Sequence, residues 1–144
     1  VYNHQFALGT RGWNVTNGSV MERNGSSQLL LQSGGSLSQK VGHRIGGRTT
    51  HDGYVRFTAD SDEPAVLTVK LGSMSQTVEV NGPKQYDLNL GRKGFYEVSF
   101  ETDGDVYLDN IHVYNFVQDG QLRDIDGNEL SCMGAMRTLN ANMN

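Results

Sequence analysis

The sequence predicts an all-β domain, a sandwich or a barrel, and three observations carry that expectation. Apolar and polar residues alternate over short runs, turn signals separate the runs about every ten residues, and no segment before residue 130 holds a helical stripe. Eighteen glycines against two prolines suit many tight turns between strands.

Taken in order, Leu29-Leu30-Leu31 follows the turn Asn24-Gly25-Ser26-Ser27 and reads as a buried strand that Gly34-Gly35 breaks. Residues 36–41 form a second short strand. In residues 54–59, Val55 and Phe57 point one way while Tyr54, Arg56 and Thr58 point the other. Residues 65–71 turn Leu67, Val69 and Leu71 inward and give Thr68 and Lys70 to water. Residues 75–80 bury Val78 and Val80 before the Asn81-Gly82 turn. Tyr86, Leu88 and Leu90 make the next inward set, then Tyr96, Val98 and Phe100, ended by Asp103-Gly104. Residues 106–114 are the last strong strand, and pairing of the two ends of the chain would close the scaffold.

Beyond it, Asp119-Gly120 and Asp126-Gly127 suggest a small hairpin with residues 121–125 as one arm. Met133, Met136 and Leu139 are spaced for one helical face, which Gly134 weakens. The expected organisation is a β-sandwich over residues 1–116, with 117–144 a C-terminal hairpin or tail, or a linker to a further domain.

A chain of 144 residues suits one domain, large enough to hide roughly 70% of its unfolded surface. Hydrophobic residues make up 36% and charged ones only 19%, so the balance is Gly, Ser, Asn, Thr and Gln, the make-up of a turn-rich β protein. Net charge is −4 and Lys and Arg never cluster, which argues against nucleic acid as partner. No run approaches the roughly 18 apolar residues of a membrane span. Cys132 stands alone, so no internal disulfide forms. The chain opens at Val1 without an initiator Met or an apolar leader, and we expect a piece of a longer bacterial secreted or cell-surface protein. In that setting the sequons at Asn14, Asn17 and Asn24 are incidental.

The pattern Asn3-x-x-Phe6, Gly9, Gly12-Trp13 resembles the opening motif of jelly-roll carbohydrate-binding modules with the galactose-binding-like fold, whose form is roughly Asn-Gly-x-Phe-Glu followed by a Gly-rich turn ending in Gly-Trp. Tyr107-Leu108-Asp109-Asn110-Ile111-His112-Val113 is similar to their last strand, and residues 35–41 to the strand that leads toward the binding face. The resemblance spans residues 1 to about 115 and implies an antiparallel two-sheet jelly-roll β-sandwich. It also implies a structural calcium ion where the first loop meets the last strand, with Asp109 supplying a carboxylate and Asn3 and Phe6 lying in the ligand loop. The sequence departs from the pattern at Ala7, where the family has Glu, and at Gln5, where it has a small residue. One acidic ligand is therefore missing, and capping of backbone N–H groups is the alternative role for Asp109.

A sugar offers C–H faces and ring hydroxyls, so its site needs an aromatic platform beside planar hydrogen-bonding groups. Tyr54 and Arg56, two apart on one strand, share a face and meet that need. His51 at the strand entrance, Gln39 on the neighbouring motif, and Tyr107, His112 and Tyr114 on the last strand are the further candidates. The bland alternative is a tyrosine at a solvated sheet edge with ordinary surface charge beside it. Trp13, the only tryptophan, reads as core.

Catalysis finds little footing. There is no Gly-x-Ser-x-Gly elbow, and no histidine is tied in sequence to Cys132. Asp60, Asp62 and Glu63 share one turn, and Glu97 and Glu101 lie on an outward strand face, not across a cleft. His4, His43, His51 and His112 lack zinc-ligand spacing, and residues 124–129 lack the Gly and Glu placement of a helix–loop–helix calcium site. The expected function is a non-catalytic polysaccharide-binding module, monomeric or part of a multidomain enzyme, that tethers a glycoside hydrolase or surface protein to glycan. The alternative is an accessory sandwich that packs on a catalytic domain or protein partner without a sugar site of its own. A small jelly-roll hydrolase is the third and weakest reading.

Overall fold

The computed structural model describes residues 1–41, 52–91, 97–116 and 122–124, with side chains as far as residue 114. His43, His51, Tyr96, Cys132 and the methionine-bearing tail lie outside the described residues.

Nine strands are present among the described residues: β1 (Asn14–Arg23), β2 (Ser26–Lys40), β3 (Gly53–Asp60), β4 (Ala65–Leu71), β5 (Met74–Val80), β6 (Lys84–Asn89), β7 (Glu97–Thr102), β8 (Val106–Phe116) and β9 (Leu122–Asp124). All pairings are antiparallel, in the order β5-β4-β7-β2-β8-β3-β6, with β1 alongside β2 and β9 alongside β8. The chain is the all-β sandwich expected.

One strand makes the path into two layers. The first half of β2 pairs with β8 through Leu29, Leu30 and Leu31, and its second half pairs with β7 through residues 36–40. Between them sit Gly34, at φ 81°, and Gly35. A Cβ at Gly35 would fall 2.8 Å from the carbonyl oxygens of Thr16, Asn17 and Gln32, so only glycine fits this approach. The Gly-Gly pair therefore bends a continuous strand from one layer into the other, where the sequence suggested two separate strands.

The layers close on an apolar interior. Leu29, Leu31, Leu37, Phe57, Leu67, Phe100 and Leu108 are fully buried. Phe57 of β3 meets Phe100 of β7 edge to face, with centroids 5.3 Å apart at 81°. That contact joins the β8 layer to the β7 layer.

β1 has no counterpart among the predicted strands. Asn14, Asn17, Gly18, Ser19 and Glu22 are poor β-formers and the strand is mostly exposed, with only Val15 and Val20 reaching the core; it exists because β2 offers it a ladder. The opening segment is likewise not a strand. Residues 2–12 form successive turns, and Asn3 and Phe6 both sit at φ 57°. The two ends of the chain still meet, but through a loop: the Ile111 amide donates to the His4 carbonyl at 3.1 Å, and Gln5 Nε2 donates to Asn110 Oδ1 at 2.8 Å. Residues 122–124 pair with Tyr114, Asn115 and Phe116, so that arm of the expected hairpin adds to β8.

Candidate functional site

The outward face of β6, β3 and β8 carries the candidate site. Alternation on β3 sends Val55 and Phe57 inward and Tyr54, Arg56 and Thr58 outward, as read from the sequence. Register then sets Tyr54 opposite Tyr114 and Asn89, and Arg56 opposite His112 and Asp87.

A bulge enlarges this face. Arg56 pairs with His112, but Thr58 pairs with Asp109, so β8 spends one extra residue there, and Asn110 takes φ 53°. Inward residues of β8 are consequently Val106, Leu108, Ile111 and Val113, all fully buried. Strict alternation would put Tyr107 on the opposite face from His112 and Tyr114. The bulge puts all three on one side.

At one end of the face stands a fixed cluster. The rings of Tyr54 and Tyr114 stack with centroids 5.2 Å apart and planes within 13°. Tyr114 Oη donates to Asp87 Oδ2 at 2.6 Å. Arg56 Nη2 and Nε both donate to the same oxygen, at 2.7 and 3.2 Å. Tyr114 is held far above the usual tyrosine range, first by burial and then by the negative charge of Asp87, so it stays a phenol and a donor. Arg56 is 9% exposed, so it is not the open surface charge that alternation suggested. Asp87 neutralises it, as burial of a guanidinium requires. Asn89, next outward on β6, donates to Asp52 at 2.8 Å.

The remaining candidates separate. His112 is buried in mid-face with its ring 4.7 Å from that of His4. Tyr107 stands toward the other end, under the guanidinium of Arg23, whose Cζ lies 3.9 Å from the ring centroid. Gln39 does not reach the face. It is buried on the β7 side of β2, where it accepts from the Tyr2 amide and donates to the Tyr2 carbonyl, both at 2.9 Å. That reciprocal pair anchors the N-terminal segment. His51 lies outside the described residues.

Sequence reading missed Asp87 and Arg23. Asp87 was legible as the outward residue between Tyr86 and Leu88. Arg23 was not, because its strand was not seen.

The calcium positions are occupied by hydrogen bonds. Asn3 Nδ2 donates to the carbonyls of Gly9 and Arg11, both at 2.9 Å, and Asn3 Oδ1 accepts from the Leu8 amide. The Asn3 carbonyl accepts from Phe6 and from the Trp13 indole, and the Phe6 carbonyl accepts from Gly9. Trp13 and Phe6 are buried, with rings 5.6 Å apart. Asp109 is buried, accepts from the Asn110 amide, and burial pushes its carboxyl up to about 6. Among the described residues no three His, Cys, Asp or Glu side chains converge. With Ala7 in place of an acid and the loop oxygens already accepting N–H donors, this set fits a calcium ion poorly.

No protein-family profile matches the chain, and no curated protein matches it. Solved structures do. A family 61 carbohydrate-binding module in complex with β-1,4-galactotriose aligns over 80% of this chain and 97% of its own, at 20% identity and TM-score 0.54. A family 6 module from Clostridium stercorarium in complex with cellobiose aligns over 74% of this chain and 88% of its own, at 16% identity and TM-score 0.54. An arabinose-bound α-L-arabinofuranosidase aligns over 85% of this chain but 28% of its own, at 8% identity and TM-score 0.62. The chain has the jelly-roll β-sandwich fold found in carbohydrate-binding modules.

Proposed function

We propose that this chain is a non-catalytic carbohydrate-binding module whose site is the outward face of β6, β3 and β8. The observation that carries the reading is the Tyr54–Tyr114 ring pair fixed beside the Arg56–Asp87 ion pair. An aromatic wall takes the C–H face of a sugar, while a preset carboxylate and guanidinium take its hydroxyls at little ordering cost. Structural neighbours solved with galactotriose and cellobiose support a saccharide ligand.

The cluster is built to hold its geometry: Arg56 and Tyr114 both donate to Asp87 and fix the carboxylate as an acceptor on the face. Such a module acts by proximity, raising the local concentration of glycan for whatever is linked to it. A fold match to part of a much longer glycosidase is consistent with an appended role. With a glycan supplied from outside as its target, such a module would act outside the cell or on its surface.

Calorimetry and affinity electrophoresis against neutral polysaccharides, with β-1,4-galacto- and cello-oligosaccharides as soluble probes, test this. Tyr54 is half-buried, so Tyr54→Ala should fold normally and weaken binding at least tenfold, about 1.4 kcal/mol. The accessory-sandwich reading is favoured by one observation, the mutual satisfaction of buried Arg56 and Tyr114. Absence of binding by the wild-type chain to every probe would select it.

A further inference from the structure

The outward face does not end at the tyrosine cluster. Arg56 and His112 line a small pocket of about 30 Å³ together with Thr58 and Gln85. Thr58 and Gln85 also line a larger pocket of about 380 Å³, walled by Arg23, Asp60, Lys84 and Tyr107. The two pockets meet at Thr58 and Gln85, and the smaller one reaches Arg56 of the tyrosine cluster, so the three lie in line along the face as one shallow groove, with the larger pocket as its wide end. A volume of about 380 Å³ lies within the roughly 300–1,000 Å³ range of ligand sites.

The wide end repeats the chemistry of the tyrosine end with other residues. There an arginine is fixed by an aspartate and set against a tyrosine ring. Here Arg23 Nη1 donates to Asp60 at 2.5 Å, and the guanidinium lies over Tyr107. The side chains of Arg23 and Asp60 are only 20% and 18% exposed, so the pair is held in place. Asp60 lies on β3, Tyr107 on β8 and Arg23 on β1, and the β8 bulge is what turns Tyr107 to the groove side. Asp87 neutralises the arginine at the tyrosine end, and at the wide end Arg23 and Lys84 are matched in charge by Asp60 and Asp62, both of which bond Arg23, which suits an uncharged ligand better than an anionic one. From Tyr107 to Tyr114 the strand runs roughly 20 Å, allowing for the bulge, far longer than one sugar ring.

We infer that the Arg23–Tyr107 end is a second saccharide subsite, so that the groove takes an extended neutral glycan chain along β8, not a single terminal sugar. This rests on the proposed function, since the first subsite is the tyrosine cluster. The test titrates wild type and Arg23→Ala with the same two oligosaccharide series, from two to six units. Wild-type affinity should rise at least fivefold between the shortest and longest chains, and Arg23→Ala should lose that rise while keeping disaccharide affinity. Amide NMR of the wild-type chain supplies a second readout that needs no variant. Signals of Tyr107 and Lys84 should shift with the hexamer and not with the dimer. Disaccharide binding that depends on Tyr54, with no gain from length and no shift at Tyr107, would overturn the second subsite and leave the first intact. A length gain unchanged in Arg23→Ala, with Tyr107 signals unmoved, would also overturn it. Failure of every length to bind would instead sink the proposed function itself, and this inference with it.

Discussion

The outward faces of the two layers follow the same alternation and differ in one respect. On β4 and β7 the outward residues are ordinary: Val66 is 43% exposed, Glu97 and Glu101 are exposed, and Lys70 reaches Glu101 at 3.4 Å in open solvent. On β3 and β8 the outward residues Arg56, Asp109, His112 and Tyr114 are all buried. Polar groups are not withdrawn from water unless something holds them, and each of these has a specific partner or neighbour. The contrast separates the proposed binding face from the rest of the surface better than composition does. One layer presents a solvated surface, and the other an ordered polar and aromatic groove.

The largest effect should come from breaking the ordered side. Asp87→Ala strands Arg56 as a buried cation and removes the acceptor of Tyr114; a loss of about 3 kcal/mol and of detectable saccharide binding is expected. Chemical denaturation with calorimetry reads both. Stability within about 1 kcal/mol of wild type would mean that the cluster is looser than its geometry implies.

Asp109→Asn sharpens the same contrast through pH. The folded carboxyl titrates at about 6 against 3.8 unperturbed, so the native state holds this proton more tightly than the unfolded chain does. Its contribution is then fully favourable below about pH 4, declines as pH rises to about 6, and stays low above that. The amide of the variant would keep an acceptor for the Asn110 N–H without the charge. We expect the variant to match wild type near pH 4 and to exceed it by up to about 3 kcal/mol at neutral pH, since each tenfold difference in proton affinity between folded and unfolded chain is worth about 1.4 kcal/mol. Melting curves with calcium and with chelator complete the experiment. If calcium sits on Asp109, it will raise the melting temperature of wild type at neutral pH, and Asp109→Asn will become the less stable form.

The smallest effect belongs to the solvated layer. A double-mutant cycle on Lys70 and Glu101 should give a coupling below about 0.5 kcal/mol and unchanged saccharide affinity. A larger coupling, or altered affinity, would dissolve the difference between the two faces.

Much of this was legible from pattern. The inward sets of β3, β4 and β6 and the shared face of Tyr54 and Arg56 follow from alternation, and Trp13 was read as core; Phe6, expected in a ligand loop, is buried beside it. The switch at Asp109-Asn110 was also written in the apolar spacing, since Val106, Leu108, Ile111 and Val113 skip one residue of a strict period. β1 was not legible, because its ladder is supplied by β2 and not by its own side chains. Gln39 was misplaced because a glutamine's role depends on what backbone lies opposite it, here that of Tyr2.

The sequence by itself determined which residues face inward and that the strands form a sandwich, because burial of apolar side chains has the period of the strand itself. Tertiary structure alone decided which outward residues come together at the proposed site. Arg56, Asp87 and Tyr114 come from β3, β6 and β8, and Arg23, Asp60 and Tyr107 from β1, β3 and β8; only register, a one-residue bulge and a glycine bend bring them together. Those are long-range contacts, and no local period encodes them.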